Sequence, residues 1–332
     1  MKSFWLRFKK NRRGYYSLII FSFLFFISLF AEIVANDKPL IVRYKSNFYF
    51  PIIKEYSEKT FGGNFQTEAN YRDPYVKELI KKDGWMIMPP IPYSYLTINY
   101  QITSPAPTKP DLQNLLGTDD NGRDVLARII YGLRISLVFG LILTLFSTVI
   151  GVILGAIQGY FGGLIDLFFQ RFMEIWSSLP TLFLLIILSS VIEPGFFILL
   201  FLMLLFSWMS LVGLVRAEFL RVRNFDFVRS AKAIGASNSR IIFKHILPNA
   251  MASTLAYLPF FLSGSIVTLT ALDFLGFGMP IETPSLGELL AQGKENISAY
   301  HLGISGFVVL TLICSLLVFI GEAVRDCFDL NR

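Results

Sequence analysis

Six runs of apolar residues, each about as long as a bilayer core is thick, constrain this chain more than any other feature. They lie at residues 15–34 and at roughly 135–158, 172–192, 195–215, 250–272 and 302–321. A helix needs about 20 predominantly apolar residues to cross the hydrocarbon. Inside lipid every backbone N–H and C=O must be paired within the segment, which leaves helices as the natural solution for such runs. The sequence therefore predicts an all-α polytopic membrane protein with six transmembrane helices. Composition agrees: 54% of the residues are hydrophobic and 16% charged, against about 25% charged in soluble domains.

The first run follows a tail, residues 1–14, that carries Lys2, Arg7, Lys9, Lys10, Arg12 and Arg13 and no acid. A signal peptide has the same order of features, but its apolar core is usually about 7–15 residues long. Residues 15–35 are long enough to span and lack a small-x-small cleavage site, so an uncleaved first helix is expected.

Residues 36–130 turn polar, aromatic and proline-rich, with near-balanced charge. Stretches such as Ile41-Val42-Arg43-Tyr44 and Phe48-Tyr49-Phe50 have strand composition. A small ordered insertion between the first and second spans is expected. Residues 131–332 form the five-helix remainder, interrupted by a loop at 216–249 rich in Arg and Lys. Basic segments flanking spans mark the cytoplasmic side, and long loops are exempt from that rule. The basic tail and the basic loop then share one side with four spans between them. Both termini are expected in the cytoplasm and residues 36–130 outside it. The +6 net charge is concentrated in these flanks, which excludes a nucleic-acid partner and leaves the lipid bilayer.

The second run carries Ser147, Gly151, Gly155 and Gly159, each four apart. Small residues at that spacing let another helix approach closely, either within the chain or on a partner subunit.

Several function classes are disfavoured. The later apolar runs have charges only at their ends, at Arg171, Glu174, Glu193, Asp273, Glu322 and Arg325. Proton- and voltage-driven proteins usually place ionisable groups inside the membrane. No G-x-x-x-x-G-K-[ST] phosphate loop is present, so the chain is not expected to hydrolyse ATP. His245 and His301 are the only histidines, and no Cys/His cluster has metal-ligand spacing. Cys314 and Cys327 would lie roughly 20 Å apart along a helix, too far for a disulfide.

The basic loop is the informative segment. Asn224 or Asp226 is placed to cap a short helix, Gly235 to end it in a left-handed conformation, and Ser237 to cap a second helix that stops before Pro248. Two short helices on a membrane face suit docking into a groove of another protein. This loop resembles the E-A-A-x3-G-x9-I-x-L-P motif of ABC importer permeases. By position the match gives Arg229, Ser230, Ala231, Gly235, His245, Leu247 and Pro248. Arg229, Ser230 and His245 depart from the pattern, while the glycine, its spacing and the Leu-Pro hold.

A second stretch, Leu116-Gly117-Thr118-Asp119-Asp120-Asn121-Gly122-Arg123-Asp124-Val125-Leu126-Ala127-Arg128, resembles a signature of the dipeptide/oligopeptide/nickel permease group. Gly159-Tyr160-Phe161-Gly162-Gly163, Leu272-Asp273-Phe274-Leu275-Gly276-Phe277-Gly278 and Gly321-Glu322-Ala323-Val324-Arg325-Asp326 also fit the second, C-type permease of that group. Together the matches cover about residues 115–332. Ala35-Asn36-Asp37-Lys38-Pro39-Leu40 is similar to the microcin C and peptide importer branch. From the residues alone, Asp119, Arg123 and Asp124 could form an ion-pair network that shapes the loop, touches substrate or meets a delivering protein.

The resemblance implies the type I importer permease fold in a bacterial inner membrane, with no catalytic residues. The loop residues Asp226, Arg229, Ser230, Ala231, Gly235, His245, Leu247 and Pro248 would couple to an ATPase. It implies a second homologous permease, ATP-binding subunits that hold ATP and Mg, and a periplasmic substrate-binding protein. Peptides or peptide-like compounds would be the cargo. The competing expectation is a membrane receptor or scaffold with 36–130 as a ligand-binding ectodomain, for which the helix–glycine–helix loop has no use.

Overall fold

A computed structural model of the chain describes residues 2–102, 104–192, 195–280 and 282–328. Glu193 lies outside the described residues. The chain divides into two compact units. One gathers Met1–Ser22, Ser136–Pro280 and Leu310–Arg332, and the other gathers Phe23–Ile135 and Ile281–Val309. Among the described residues five helices are long and apolar enough to cross a membrane: Arg12–Leu29, Val125–Phe161, Phe196–Val222, Asn238–Phe274 and Tyr300–Phe328.

In the first unit, α1 (Lys2–Lys10) is separated by Asn11 from α2 (Arg12–Leu29). Phe8 of α1 is buried against Ala323 and Cys327 near the end of α13 (Tyr300–Phe328). The block expected to span at 172–192 is divided. It becomes the end of α6 (Gly163–Ser177) and a separate α7 (Thr181–Val191). Pro180 explains the break, since it donates no N–H and biases the residue before it away from helix.

α5 (Val125–Phe161) packs along α8 (Phe196–Val222). A Cβ added at Gly151 would lie 2.6 Å from the Leu211 Cβ, and one at Gly155 2.8 Å from the Val215 Cβ. At Gly159 the Phe219 Cβ would be 2.5 Å away, and the Ser147 and Ser207 hydroxyls are 2.7 Å apart. Residues four apart on α5 thus meet residues four apart on α8, as ridges and grooves of equal pitch do. The stripe is an intramolecular helix contact.

α5 also starts earlier than its apolar run suggests. Asp124 caps it, accepting from the Ala127 N–H at 2.7 Å, so Arg128 and Arg134 become helical residues. Hydropathy places such charges outside a span, whereas an N-cap fixes a helix start whatever follows.

In the second unit, α3 (Ala31–Val34) precedes a three-stranded antiparallel sheet. β1 (Ile41–Tyr44) is central, flanked by β2 (Asn47–Tyr49) and β3 (Gly84–Ile87). Val42 pairs with Tyr49 on one side and Met86 on the other. α4 (Pro74–Asp83) starts with Asp73 as cap, its carboxylate accepting the Tyr75 N–H at 2.8 Å, and with proline in its first turn. Val76 and Ile80, one helical turn apart, join Val42, Tyr44, Phe61 and Tyr71 in a buried core. The expected strands are present, apart from Phe50, which lies beyond β2. α12 (Leu286–Glu295) belongs to this unit, with the Ser285 hydroxyl accepting the Glu288 N–H at 3.0 Å.

Candidate functional site

The basic loop opens with α9 (Asp226–Ala233). Its cap differs from expectation. Phe225 holds the N-cap position without a side-chain bond, and Asp226 is the first helical residue. The Asn224 amide instead donates to the Leu220 carbonyl at 3.1 Å. A carboxylate in the first turn still suits the positive end of the helix.

The end of α9 follows the sequence closely. Gly235 has φ +83°, its N–H bonds the Lys232 carbonyl at 3.0 Å, and the Ala236 N–H bonds that of Ala231 at 3.0 Å. This pair of bonds is the Schellman closure, which needs a left-handed residue at the glycine. Ser237 then caps α10 (Asn238–Arg240), accepting from the Arg240 N–H at 3.4 Å.

The second helix does not stop before Pro248. It continues through a π-helical segment, Ile241–Ile246, into α11 (Leu247–Phe274). Proline in a regular helix loses one hydrogen bond and collides with the carbonyl four residues earlier. The π turn widens the backbone just before Pro248, with the Leu247 N–H reaching back to Ile242. The Asn249 amide satisfies the His245 carbonyl at 2.7 Å. Pro248 thus marks a change of helical pitch, not an end.

A buried cluster holds this loop in place: Val228 of α9 and Ile241 and Ile246 of the π segment pack with Tyr160, Val215 and Phe219. The Tyr160 hydroxyl donates to the Asn238 side-chain oxygen at 2.6 Å. Arg223 donates to the Gly159 and Tyr160 carbonyls at 3.0 and 3.3 Å, closing the C-terminus of α5. On the other side of α9, Asp226, Arg229 and Ser230 are exposed, and Ile234 is 86% exposed. A methyl group added at Gly235 would meet nothing within 4 Å. Ala231, His245 and Leu247 are half-buried, and Pro248 is exposed.

The signature stretch is the opposite kind of loop. Thr118, Asp119 and Asp124 are almost completely buried. One Asp119 oxygen accepts the Asn121 and Arg123 N–H groups at 3.0 and 2.8 Å. The other accepts from Arg123 Nε at 2.7 Å and lies 3.4 Å from Arg128 Nε. That second contact is ionic only, since Arg128 Nε finds no hydrogen-bond partner among the described residues. Arg128, fully buried, also pairs with Glu288 of α12, and Arg123 reaches the same carboxylate at 3.4 Å. Asp124 accepts from the Asn114 amide at 2.7 Å besides capping α5.

Burial pushes the Glu288 carboxyl above the usual carboxylate range, against the pull of Arg128 and Arg123. It does the same to Asp124, against the hydrogen bonds from Asn114, Ala127 and Leu126. Gly117 and Gly122 both have φ +77°, and a Cβ on Gly117 would lie 2.9 Å from the His301 ring. His301 Nε2 in turn lies 3.1 Å from the Thr118 carbonyl. Glu288 is the member that motif reading missed. Its signal is the Ser285-Leu286-Gly287-Glu288 spacing of a capping box, although its side chain serves the two arginines.

Residues 147–330 match the family described as "Binding-protein-dependent transport system inner membrane component". Residues 1–51 match the "N-terminal TM domain of oligopeptide transport permease C". The chain is 58% identical over 328 residues to the inner membrane ABC transporter permease protein YejE of Escherichia coli K12, covering 99% of this chain and 96% of that one. It is 53% identical to the peptidoglycan transport system permease protein YejE of Agrobacterium fabrum, covering 98% and 91%. A solved structure of the MetNI methionine ABC transporter in inward-facing conformations superposes with a TM-score of 0.51 at 18% identity, over 60% of this chain and 96% of that one. That likeness shows a shared fold, the type I importer permease arrangement. The chain belongs to the inner-membrane permeases of binding-protein-dependent ABC transport systems.

Proposed function

We propose that this chain forms half of the translocation pathway of an ATP-driven importer of peptides or peptide-like compounds, microcin C among them. A second homologous permease supplies the other half. ATP-binding subunits hold ATP and Mg and dock on the loop 216–249. A periplasmic binding protein delivers cargo to the opposite face. Both termini lie in the cytoplasm and residues 36–130 outside, with the divided block at α6 and α7 providing the sixth crossing. Relatives named for oligopeptide and peptidoglycan transport support a peptide-like cargo, and the binding-protein-dependent and ABC transporter names support a delivering protein and ATP-binding subunits.

The observation that carries the reading is the two-sided construction of α9. One side is fixed by buried Val228. The other presents Asp226, Arg229 and Ser230 beside Ile234, which is 86% exposed. An element anchored on one side and bare on the other is suited to relaying a partner's motion. ATP closes the ATPase subunits, α9 moves with them, and the helix from Asn238 onwards carries the motion into the spans.

Gly235→Asp tests this. The variant is expected to insert and fold but to lose ATP-dependent uptake in the assembled importer; normal uptake would sink the docking role. Orientation has its own test. A cysteine replacing Lys77 should react with an impermeant thiol reagent added outside, and one replacing Asn238 should not.

A further inference from the structure

The second unit contains two neighbouring cavities, of about 640 and about 520 Å3. Both are lined by Arg72, Lys77 and Gln101, so these three side chains stand between two lobes of one cleft. Each lobe falls in the range typical of small-ligand sites, about 300–1,000 Å3. The first lobe carries Asp37, Glu68, Tyr71, Asp73 and Tyr100. The second has a proline-lined apolar wall, with Met88, Pro89, Pro90, Pro92, Leu112 and Leu115. Asp124 and Leu126 of the signature stretch also reach the second lobe.

Part of the charge lining this cleft is spent within it and part is not. Lys38 is taken up by Glu68 and Glu55. Among the described residues neither Arg72 nor Lys77 makes an ion pair. Arg72 lies over the Tyr93 ring, 4.2 Å from its centroid, which orients the guanidinium without neutralising it. Among the same residues the Asp37 carboxylate accepts the Thr97 hydroxyl, at 2.8 Å, and a weak pull from Lys38, and the Asp73 carboxylate makes the cap bond of α4. Tyr71, 2% exposed, lines the first lobe, and its buried hydroxyl has no hydrogen-bond partner among the described residues.

We propose that this cleft binds the two ends of a short zwitterionic peptide. Arg72 and Lys77 take its carboxylate, Asp37 and Asp73 its ammonium group, and the proline-lined lobe its side chains. The site rests on the reading above that residues 36–130 face the cargo side of a peptide importer. It adds a way station on the permease itself, distinct from the delivering protein and from the pathway. Charge-assisted hydrogen bonds to a carboxylate are the strong ones, so both ends of the ligand contribute to recognition.

Calorimetric titration of the purified full chain in lipid nanodiscs provides the test. The probes are trialanine with free ends, its C-terminal amide and its N-acetyl form. The free peptide should bind about tenfold more tightly than either blocked form. In Arg72→Gln and in Lys77→Gln, free acid and amide should bind more nearly alike. In Asp37→Asn the same should hold for the free and N-acetyl forms. Lys77 is exposed, so its variant tests the site even where loss of the Arg72 stacking disturbs the fold. No binding by the unaltered chain, or equal binding of acid and amide, overturns the proposal. Uptake of the same peptide by the assembled importer separates the two readings. Uptake without binding here refutes the cleft alone, and absence of uptake for any peptide refutes the importer reading.

Discussion

The two motif loops of this chain are both turned by left-handed glycines, yet they use them in opposite ways. At Gly117 the backbone is pressed against the His301 ring, and the loop folds its charges inward, where Asp119, Arg123, Arg128 and Glu288 pair with one another. At Gly235 the space around the glycine is open, and Asp226 and Arg229 of α9 are exposed. The first loop completes a fold and the second offers a surface. Similar motif density along a sequence therefore does not imply similar purpose, and burial of the charged members tells the two apart.

Removing a charge should separate the loops most. Glu288→Ala leaves Arg128 buried with one partner fewer, and loss of one member of a buried pair costs about 3–5 kcal/mol. Asp226→Ala on the exposed loop should change stability by less than about 0.5 kcal/mol. Thermal unfolding in mild detergent measures both, and equal losses would break the distinction. The glycines come next. Gly117→Ala adds side-chain overlap, about 1–3 kcal/mol, to left-handed strain of about 1–2 kcal/mol. Gly235→Ala should show the strain alone. The stripe on α5 gives a reference value, since Gly155→Ala meets Val215 without a strained φ and should cost about 1–3 kcal/mol in the same assay. Arg229→Ala should change stability as little as Asp226→Ala, within about 0.5 kcal/mol, whereas ATP-driven uptake by the assembled importer should fall clearly. If uptake fell only in proportion to folded protein, the outward-facing loop would lose its special status.

Much of this is legible in the sequence, and the exceptions share a physical cause. Apolar runs mark the long helices because hydrophobic length is a local property. Gly235 and Ser237 mark the closure of α9 and the next cap because capping is decided within a few residues. Where the outcome depends on distant or subtle geometry, local reading fails. Arg128 reads as too polar for a helix in an apolar block, and its partner Glu288 stands 160 positions away. Pro248 reads as a stop, because nothing local announces that a π turn precedes it. Pro180 divides a run whose composition alone favours a single span. In 36–130 strand composition locates β1 and part of β2, but not β3 or α4, whose apolar residues are too few to set a clear period.

The π segment before Pro248 has a mechanical consequence. From Asn238 to Phe274 the chain is helical without a loop, so those 37 residues make a rod roughly 55 Å long. A continuous helix carries a displacement applied beside Ser237 along its axis more directly than a loop of the same length would. Its irregular points are Pro259 within α11 and the π turn itself. By letting proline sit inside the helix instead of ending it, the π turn makes what would be a hinge part of the shaft.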